Sequence, residues 1–374
     1  MWNLASMRAT LRRALVIRLG FRPGICLGLQ IGIAIGIGVS SAVAPAQDLE
    51  PTCFTPSGTE KVRWTRGPEA SRAQLDRWCA AVGPPLVRRA GEEAPPLGAD
   101  NLVVAVWNVR LGAGAVATLV DDLQAGRLTA GEPVRHFALL LQEVHRDLGG
   151  ALATAPPGSR AARRLAPKPR GPDIPSVARD LDLHLLYVPS MRNGGGGQPA
   201  EDRGNAILST LPLRDSRALE LPLERERRVA VAARVDFGGA KDGLLLVSAH
   251  LDNRSSWRAA FRSFGAGRTG QARWLAGALQ GEPAVALGGD FNTWLRGADA
   301  RALSLLRESF PLPKEPLQRP TLIVPLFPDR AVDHLLSRLP AGWTARYRVA
   351  ETSYGSDHRP LLGSLLPPPI ADTW

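Results

Sequence analysis

Beyond residue 101, short runs rich in Val and Leu recur along the chain at strand length: 102–107, 137–141, 206–208, 229–235, 244–249, 284–287 and 331–336. Residues 118–128 and 271–279 instead carry apolar side chains at helical spacing over helical lengths. Between 203 and 250 three apolar runs follow one another through turns, with no helix-length segment between them. A succession that mixes ββ and βα steps predicts two sheets flanked by helices. No internal repeat is visible.

Residues 47–100 have a different texture. They are rich in Pro, Arg and Ala, with one helix predicted around 69–81 that stops before Pro84-Pro85. This stretch reads as an N-terminal extension and linker, with the main domain spanning 101–368. Two further segments read as irregular insertions: the basic, Pro-rich 151–176 and the glycine run Gly194 to Gly197.

The first residues add an address. Arg8, Arg12, Arg13, Arg18 and Arg22 precede an uncharged Gly/Ile/Leu run, and Ala44-Pro45-Ala46 follows it, the order of a secretory signal. Residues 1–46 are therefore expected to be a cleaved signal peptide, with an uncleaved anchor as the alternative. The run is diluted by Gly28, Gly32, Gly36 and Gly38, which suits a signal better than a membrane span. Of the three cysteines, Cys53 and Cys79 lie beyond the leader and are expected to pair in an oxidising compartment, secreted or periplasmic. Losing the leader's five arginines lowers the net charge from +11 to +6. That mild basicity fits a polyanionic substrate without requiring one. With 44% apolar and 22% charged residues, the 374-residue chain is globular, neither disordered nor fibrous.

Candidate chemistry gathers at the ends of the apolar runs, where sheets present ligand-facing groups. Asn108 follows Val106-Trp107, Glu143 follows Leu141-Gln142, His250 follows Ser248-Ala249, and Asp290 and Asn292 frame Phe291. Arg203 and Asn205 flank Gly204, Asp333 sits in a run of its own, and Asp357-His358 follows Ser356. Taken singly, each reads better as a locally satisfied polar group. Together they meet the needs of phosphoester hydrolysis: charge neutralisation, an oriented water and protonation of a leaving oxygen. Glu143 and Asp357, with Asn108, suit a hard cation such as Mg²⁺, with Mn²⁺ or Ca²⁺ as alternatives. His358 with Asp333 suits acid-base work, and Asn292, His250, Arg203 and Asn205 suit phosphate oxygens.

The order and wording of these segments resemble the endonuclease/exonuclease/phosphatase superfamily, the group of DNase I-like enzymes. Gly289-Asp290-Phe291-Asn292 and Ser356-Asp357-His358-Arg359-Pro360 are the most specific pieces, and the likeness runs from about residue 103 to 366. The resemblance implies a four-layer α/β/β/α sandwich of two mainly antiparallel sheets and divalent-metal hydrolysis of a phosphoester. It implies that Glu143 binds metal, assisted by Asn108 and Asp357, and that Asp290 and Asn292 position the nucleophile or phosphate. By the same likeness, His358 polarised by Asp333 is a general base or phosphate donor, and His250 aids the leaving group. Val109-Arg110 brings a cation after Asn108 where the family often has a second acid, which argues against a second metal there. The substrate stays open between nucleic acid and a phospholipid or sphingolipid headgroup, with phosphomonoesters and a non-catalytic phosphate-binding module as further readings. Trp257, Phe261 and Phe264 read as packing residues more than as a membrane rim. No obligate protein partner is evident, and a monomer is expected.

Overall fold

In a computed structural model the described residues are 53, 61–91, 101–148, 171–193, 201–237, 242–253, 266–293, 298–314, 319–323 and 330–368. The leader, residues 151–170, the run Gly194 to Gly197, and Trp257, Phe261 and Phe264 lie outside them. Leu49–Trp374 makes up one compact unit.

Its strands form two sheets. One has six strands in the order β1 (Arg63–Thr65), β7 (Arg214–Glu220), β8 (Val229–Val235), β9 (Leu244–His250), β10 (Val285–Asp290) and β11 (Asp333–Arg338). The other has seven, in the order β12 (Thr344–Val349), β13 (Leu361–Leu366), β3 (Leu102–Asn108), β4 (His136–Asp147), β6 (Glu201–Ser209), β5 (His184–Asn193) and β2 (Leu86–Arg88). Most neighbours are antiparallel; β3 with β4, β9 with β10 and β1 with β7 are parallel.

The twofold side-chain alternation of a strand sorts the apolar residues into layers. Val103, Ala105 and Trp107 of β3 and Phe137 and Leu139 of β4 face outward onto α2 (Val116–Gln124) and α3 (Ile174–Asp180). Val104, Val106 and Leu140 point the other way and meet Val231, Leu246 and Ala286 of the second sheet. Leu245, Val247 and Leu287 then cover α4 (Ala266–Ala278) and α5 (Ala298–Ser309) through Leu275 and Leu306. The result is the four-layer α/β/β/α sandwich that the resemblance implied. Gly288 sets how closely the sheets approach, since a Cβ there would lie 2.2 Å from Val106 Cγ2.

Residues 61–91 do not stand apart as an extension. β1 becomes the outermost strand of one sheet and β2 that of the other, with α1 (Arg72–Cys79) between them. The expected helix over 69–81 is a 3₁₀ turn, Glu69–Ser71, continued by α1. Cys53 and Cys79 are disulfide-bonded and pack with Val82 and Trp64. Buried polar groups fasten this segment to both sheets: Gly67 N donates to Glu220 and Gly83 N to Asp202. Short apolar content alone had not marked β1 and β2 as strands, because only three residues of each pair.

The segment expected as an irregular insertion is helical at its end. Asp173 Oδ1 accepts from Ser176 N and caps α3, with Pro175 in the first turn. Strands β7 and β12 escape an apolar-run reading because charged residues occupy exposed positions, Arg214 and Asp215 in one and Arg346 and Arg348 in the other.

Candidate active site

Parallel β9 and β10 end together, with His250 in register with Asp290. β11 runs antiparallel to β10, so its first residue, Asp333, pairs with Asp290 at the same edge. In the facing sheet, parallel β3 and β4 bring Asn108 beside Gln142. The strand directions alone therefore deliver His250, Asp290, Asp333 and Asn108 to one end of the sandwich.

Glu143 arrives by a different device. The β4–β6 register slips between Leu141 and Val144, and Glu143 takes a left-handed backbone, φ 55°. A bulge of this kind re-aims a side chain that regular alternation would point elsewhere, and a non-glycine residue at positive φ stores strain often found at functional sites. Asn108 bridges the two sheets here: Nδ2 donates to Asp290 Oδ2 at 3.1 Å and to Glu143 Oε1 at 3.3 Å. Its Oδ1 accepts from Arg110 N at 3.0 Å, which fixes the amide orientation. Asn108 thus presents its NH₂ face to the carboxylates, and its oxygen is already engaged.

The His–Asp pair forms across a loop. His358 Nδ1 lies 2.7 Å from Asp333 Oδ2. Trp107 Nε1 donates to His358 O, His358 N to Ser356 Oγ, and Ser356 Oγ to Asn108 O, so the loop before β13 is anchored on β3. Thr321 Oγ1 accepts from Asp333 N at 3.1 Å on the other side. Asp357, beside it, is ion-paired with Arg110 at 3.3 Å.

Charge is held tightly here. Burial pushes the Asp290 carboxyl up to about 7, reinforced by the negative charge of Asp333 and opposed by His358. Burial works against a charged His358, yet the charge and hydrogen bond of Asp333 prevail and raise it to about 10. His250 is driven well below the usual imidazole range, by burial first and then by the positive charges of Arg228 and His358. Two imidazoles of one site are therefore split, one cationic and one neutral, which is how acid and base roles separate. Further out, burial takes His334 to about 4 while Thr293 Oγ1 contacts its Nε2 at 2.9 Å.

Asn292 also adopts positive φ, 52°; its N–H donates to Asp290 Oδ1 at 2.9 Å and its Nδ2 to Leu251 O at 3.0 Å. His250 Nε2 is 3.5 Å from Asp290 Oδ2. Arg203 and Asn205 are directed elsewhere. Arg203 Nε donates to Glu201 at 2.6 Å within a buried pair, and Asn205 Nδ2 donates to Val229 O at 2.7 Å, tying β6 to β8. Arg228 and Thr321 do not stand out in the sequence, and Ser356 does so only as part of its motif, because their roles depend on contacts distant in the chain.

For a divalent cation, the carboxylates of Glu143 and Asp290 bracket Asn108, and Asp333 Oδ1 is buried with no hydrogen-bond partner. Asp290, Asp333 and His358 also form a candidate cluster, their ligand atoms lying within 4.8 Å of one another. His358 Nδ1 is taken up by Asp333, and hard cations prefer the carboxylate oxygens over the remaining ring nitrogen. The residues fit such an ion.

A sandwich of this layering, with buried carboxylates, a His–Asp pair and amides where its two sheets meet, defines a phosphoester hydrolase class. The chain belongs to the Endonuclease/Exonuclease/phosphatase family, whose profile matches residues 105–358, from just before Asn108 through His358. Its fold is similar to that of an endonuclease/exonuclease/phosphatase from Beutenbergia cavernae, at 18% identity and TM-score 0.51 over 72% of each chain. Sphingomyelinase C from Streptomyces griseocarneus matches at 17% identity and TM-score 0.42, over 71% of this chain and 99% of its own. A 3′ phosphatase, NExo, from Neisseria, bound to a product DNA hairpin, matches at 16% identity and TM-score 0.43, over 70% and 98%. No curated protein matches the chain.

Proposed function

We propose that the protein is an exported, divalent-metal-dependent phosphodiesterase, with nucleic acid as its substrate class. The observation that carries the reading is the meeting of Asp333–His358 with Asp290 and the Asn108–Glu143 bridge at one end of the sandwich. Glu143 and Asp290 would hold the cation, with Asp357 beside them. Bound there, it would supply countercharge to the phosphoryl oxygens.

The chain's own groups supply the rest. Asp290, its Oδ1 held by the Asn292 N–H, is placed to orient the attacking water beside the cation. His358, protonated and oriented by Asp333, donates from Nε2 to the anionic phosphoryl group as charge develops. Neutral His250 stands beside Asp290 for the leaving oxygen. The Arg-rich start of the chain and the Cys53–Cys79 disulfide support export.

The test is product release from plasmid DNA, RNA, sphingomyelin, a bis-aryl phosphodiester and phosphomonoesters, with Mg²⁺, Mn²⁺ or Ca²⁺ and in EDTA. Diester cleavage that disappears in EDTA and in Glu143→Gln is expected. Full turnover in EDTA overturns the metal requirement, and cleavage confined to sphingomyelin or monoesters overturns the substrate class. Intact mass of protein recovered from envelope or medium tests export: a species beginning near residue 47 with no free thiol is expected, and a full-length species overturns it.

A further inference from the structure

Four arginines lie buried among the described residues, and they differ in how their donors are used; Arg268 gives Nη1 to Asp252 O at 3.2 Å. Arg203 is held by Glu201. Arg227 is fully enclosed, with Nε on Glu220 at 2.8 Å and Nη1 on the carbonyls of Pro189 and Ser190. Arg228 is different. Its residue surface is 7% exposed, its one side-chain hydrogen bond among the described residues is a long 3.3 Å contact from Nη2 to Glu226, and its Nε has no partner.

The position of Arg228 is set by the fold. β8 and β9 pair antiparallel with Val231 opposite Ser248. Two residues further along each strand, toward the site, Val229 comes opposite His250, and Arg228 is the next residue. The backbone of Arg228 and Val229 is held at three points. Leu221 N donates to Arg228 O at 2.9 Å, Asn205 Nδ2 to Val229 O at 2.7 Å, and Val229 N to Ser190 Oγ at 3.1 Å. Asn205, expected from the sequence to touch phosphate, thus holds the strand start that carries this arginine.

A buried guanidinium with unused donors carries a desolvation cost that one long bond to a carboxylate does not offset. Anionic oxygen is the ligand that its planar fork matches. We propose that Arg228 binds a phosphoryl oxygen of the substrate beside His250, a contact that rests on the phosphoesterase reading above. The alternative is a purely structural pair with Glu226.

The test uses the full chain with its divalent ion bound, and inorganic phosphate as the probe, measured by calorimetry alongside KM and kcat for a bis-aryl phosphodiester. Arg228→Gln is expected to weaken phosphate binding about tenfold or more and to raise KM in step. Arg228→Lys, which keeps the charge and loses the fork, is expected to fall between. Glu226→Gln is expected to leave phosphate binding intact or tighten it. A folded Arg228→Gln whose phosphate affinity and KM stay within about twofold of the parent overturns the proposal. So does a Glu226→Gln that weakens phosphate as much as Arg228→Gln does. If Arg228→Gln does not fold, Arg228→Lys decides by the same criterion. Phosphate binding remains readable in a protein that cleaves no phosphoester, so failure here is distinct from failure of the proposed activity.

Discussion

Asp333 and His358 lie 25 positions apart in the chain, yet their side chains meet at 2.7 Å because their backbones are pinned separately. Asp333 opens β11 with its N–H on Thr321 Oγ1, while His358 hangs from Trp107 and Ser356 in the loop before β13. Neither anchor depends on the pair itself. The imidazole is thereby aimed before substrate arrives, the condition for electrostatic preorganisation.

Asp333→Asn is expected to keep the shape of this contact and lose the charge that holds His358 protonated. Turnover of a phosphodiester should fall by about two orders of magnitude or more, with KM little changed. In the double variant with His358→Ala, the second change has no imidazole left to orient. The double should be about as slow as the slower single variant. Steady-state kinetics on the four proteins decides it, and simple additivity would mean that Asp333 acts independently of His358.

Asp290 carries a stability cost that its proposed role explains. Its carboxyl rises from 3.8 to about 7 on folding, because burial and Asp333 disfavour the anion. A raised folded value means that the associated stability is complete below 3.8 and is lost as pH climbs through about 7. In metal-free protein, Asp290→Asn should therefore unfold at higher temperature than the parent at pH 8, by about 2–4 °C per kcal/mol recovered, while activity disappears. Equal melting temperatures at pH 8 would remove this reading; the gap should also narrow toward pH 4.

The two sheets approach closely at Gly288. An added methyl would meet Val106 Cγ2 at 2.2 Å and Leu140 Cδ1 at 2.9 Å. Gly288→Ala is expected to cost about 1–3 kcal/mol by overpacking. Because Asn108 and Asp290 meet two residues beyond this contact, activity should fall more than stability does. Denaturant unfolding paired with kcat/KM gives both numbers, and unchanged stability would refute the packing account.

Removing the disulfide by Cys53→Ser with Cys79→Ser should lower stability by about 2–4 kcal/mol. The segment it closes bears the edge strand β1, and Arg227 Nη2 lies 3.5 Å from Cys53 Sγ. Below the new melting temperature, turnover should match the parent, since no disulfide atom touches the Asp333–His358 pair. Thermal melts with and without a thiol reductant check the first point and kinetics the second.

Much of the fold was legible in the sequence wherever apolar residues alternate or cluster. β3, β8 and β9 fall within a residue of the runs expected for them, since their side chains are buried on both faces and leave an unbroken hydrophobic signature. β12 was not legible, because Arg346 and Arg348 sit at its exposed positions and leave only every second residue to report a strand. The short edge strands β1 and β2 depend on partners some hundred or more positions away, and nothing local announces them.

For the site, the sequence by itself determined which chemical groups are present. Gly289-Asp290-Phe291-Asn292 and Ser356-Asp357-His358 carry carboxylate, amide and imidazole in a recognisable order. Only the tertiary structure decided which of them meet. The bulge at Glu143, the Arg110 N–H on Asn108 Oδ1 and the Glu201 carboxylate on Arg203 are contacts of register and backbone conformation, which residue identity does not encode locally. The same holds for protonation: His250 and His358 are the same residue type at strand or loop ends, and burial beside Arg228 makes one neutral while Asp333 keeps the other charged.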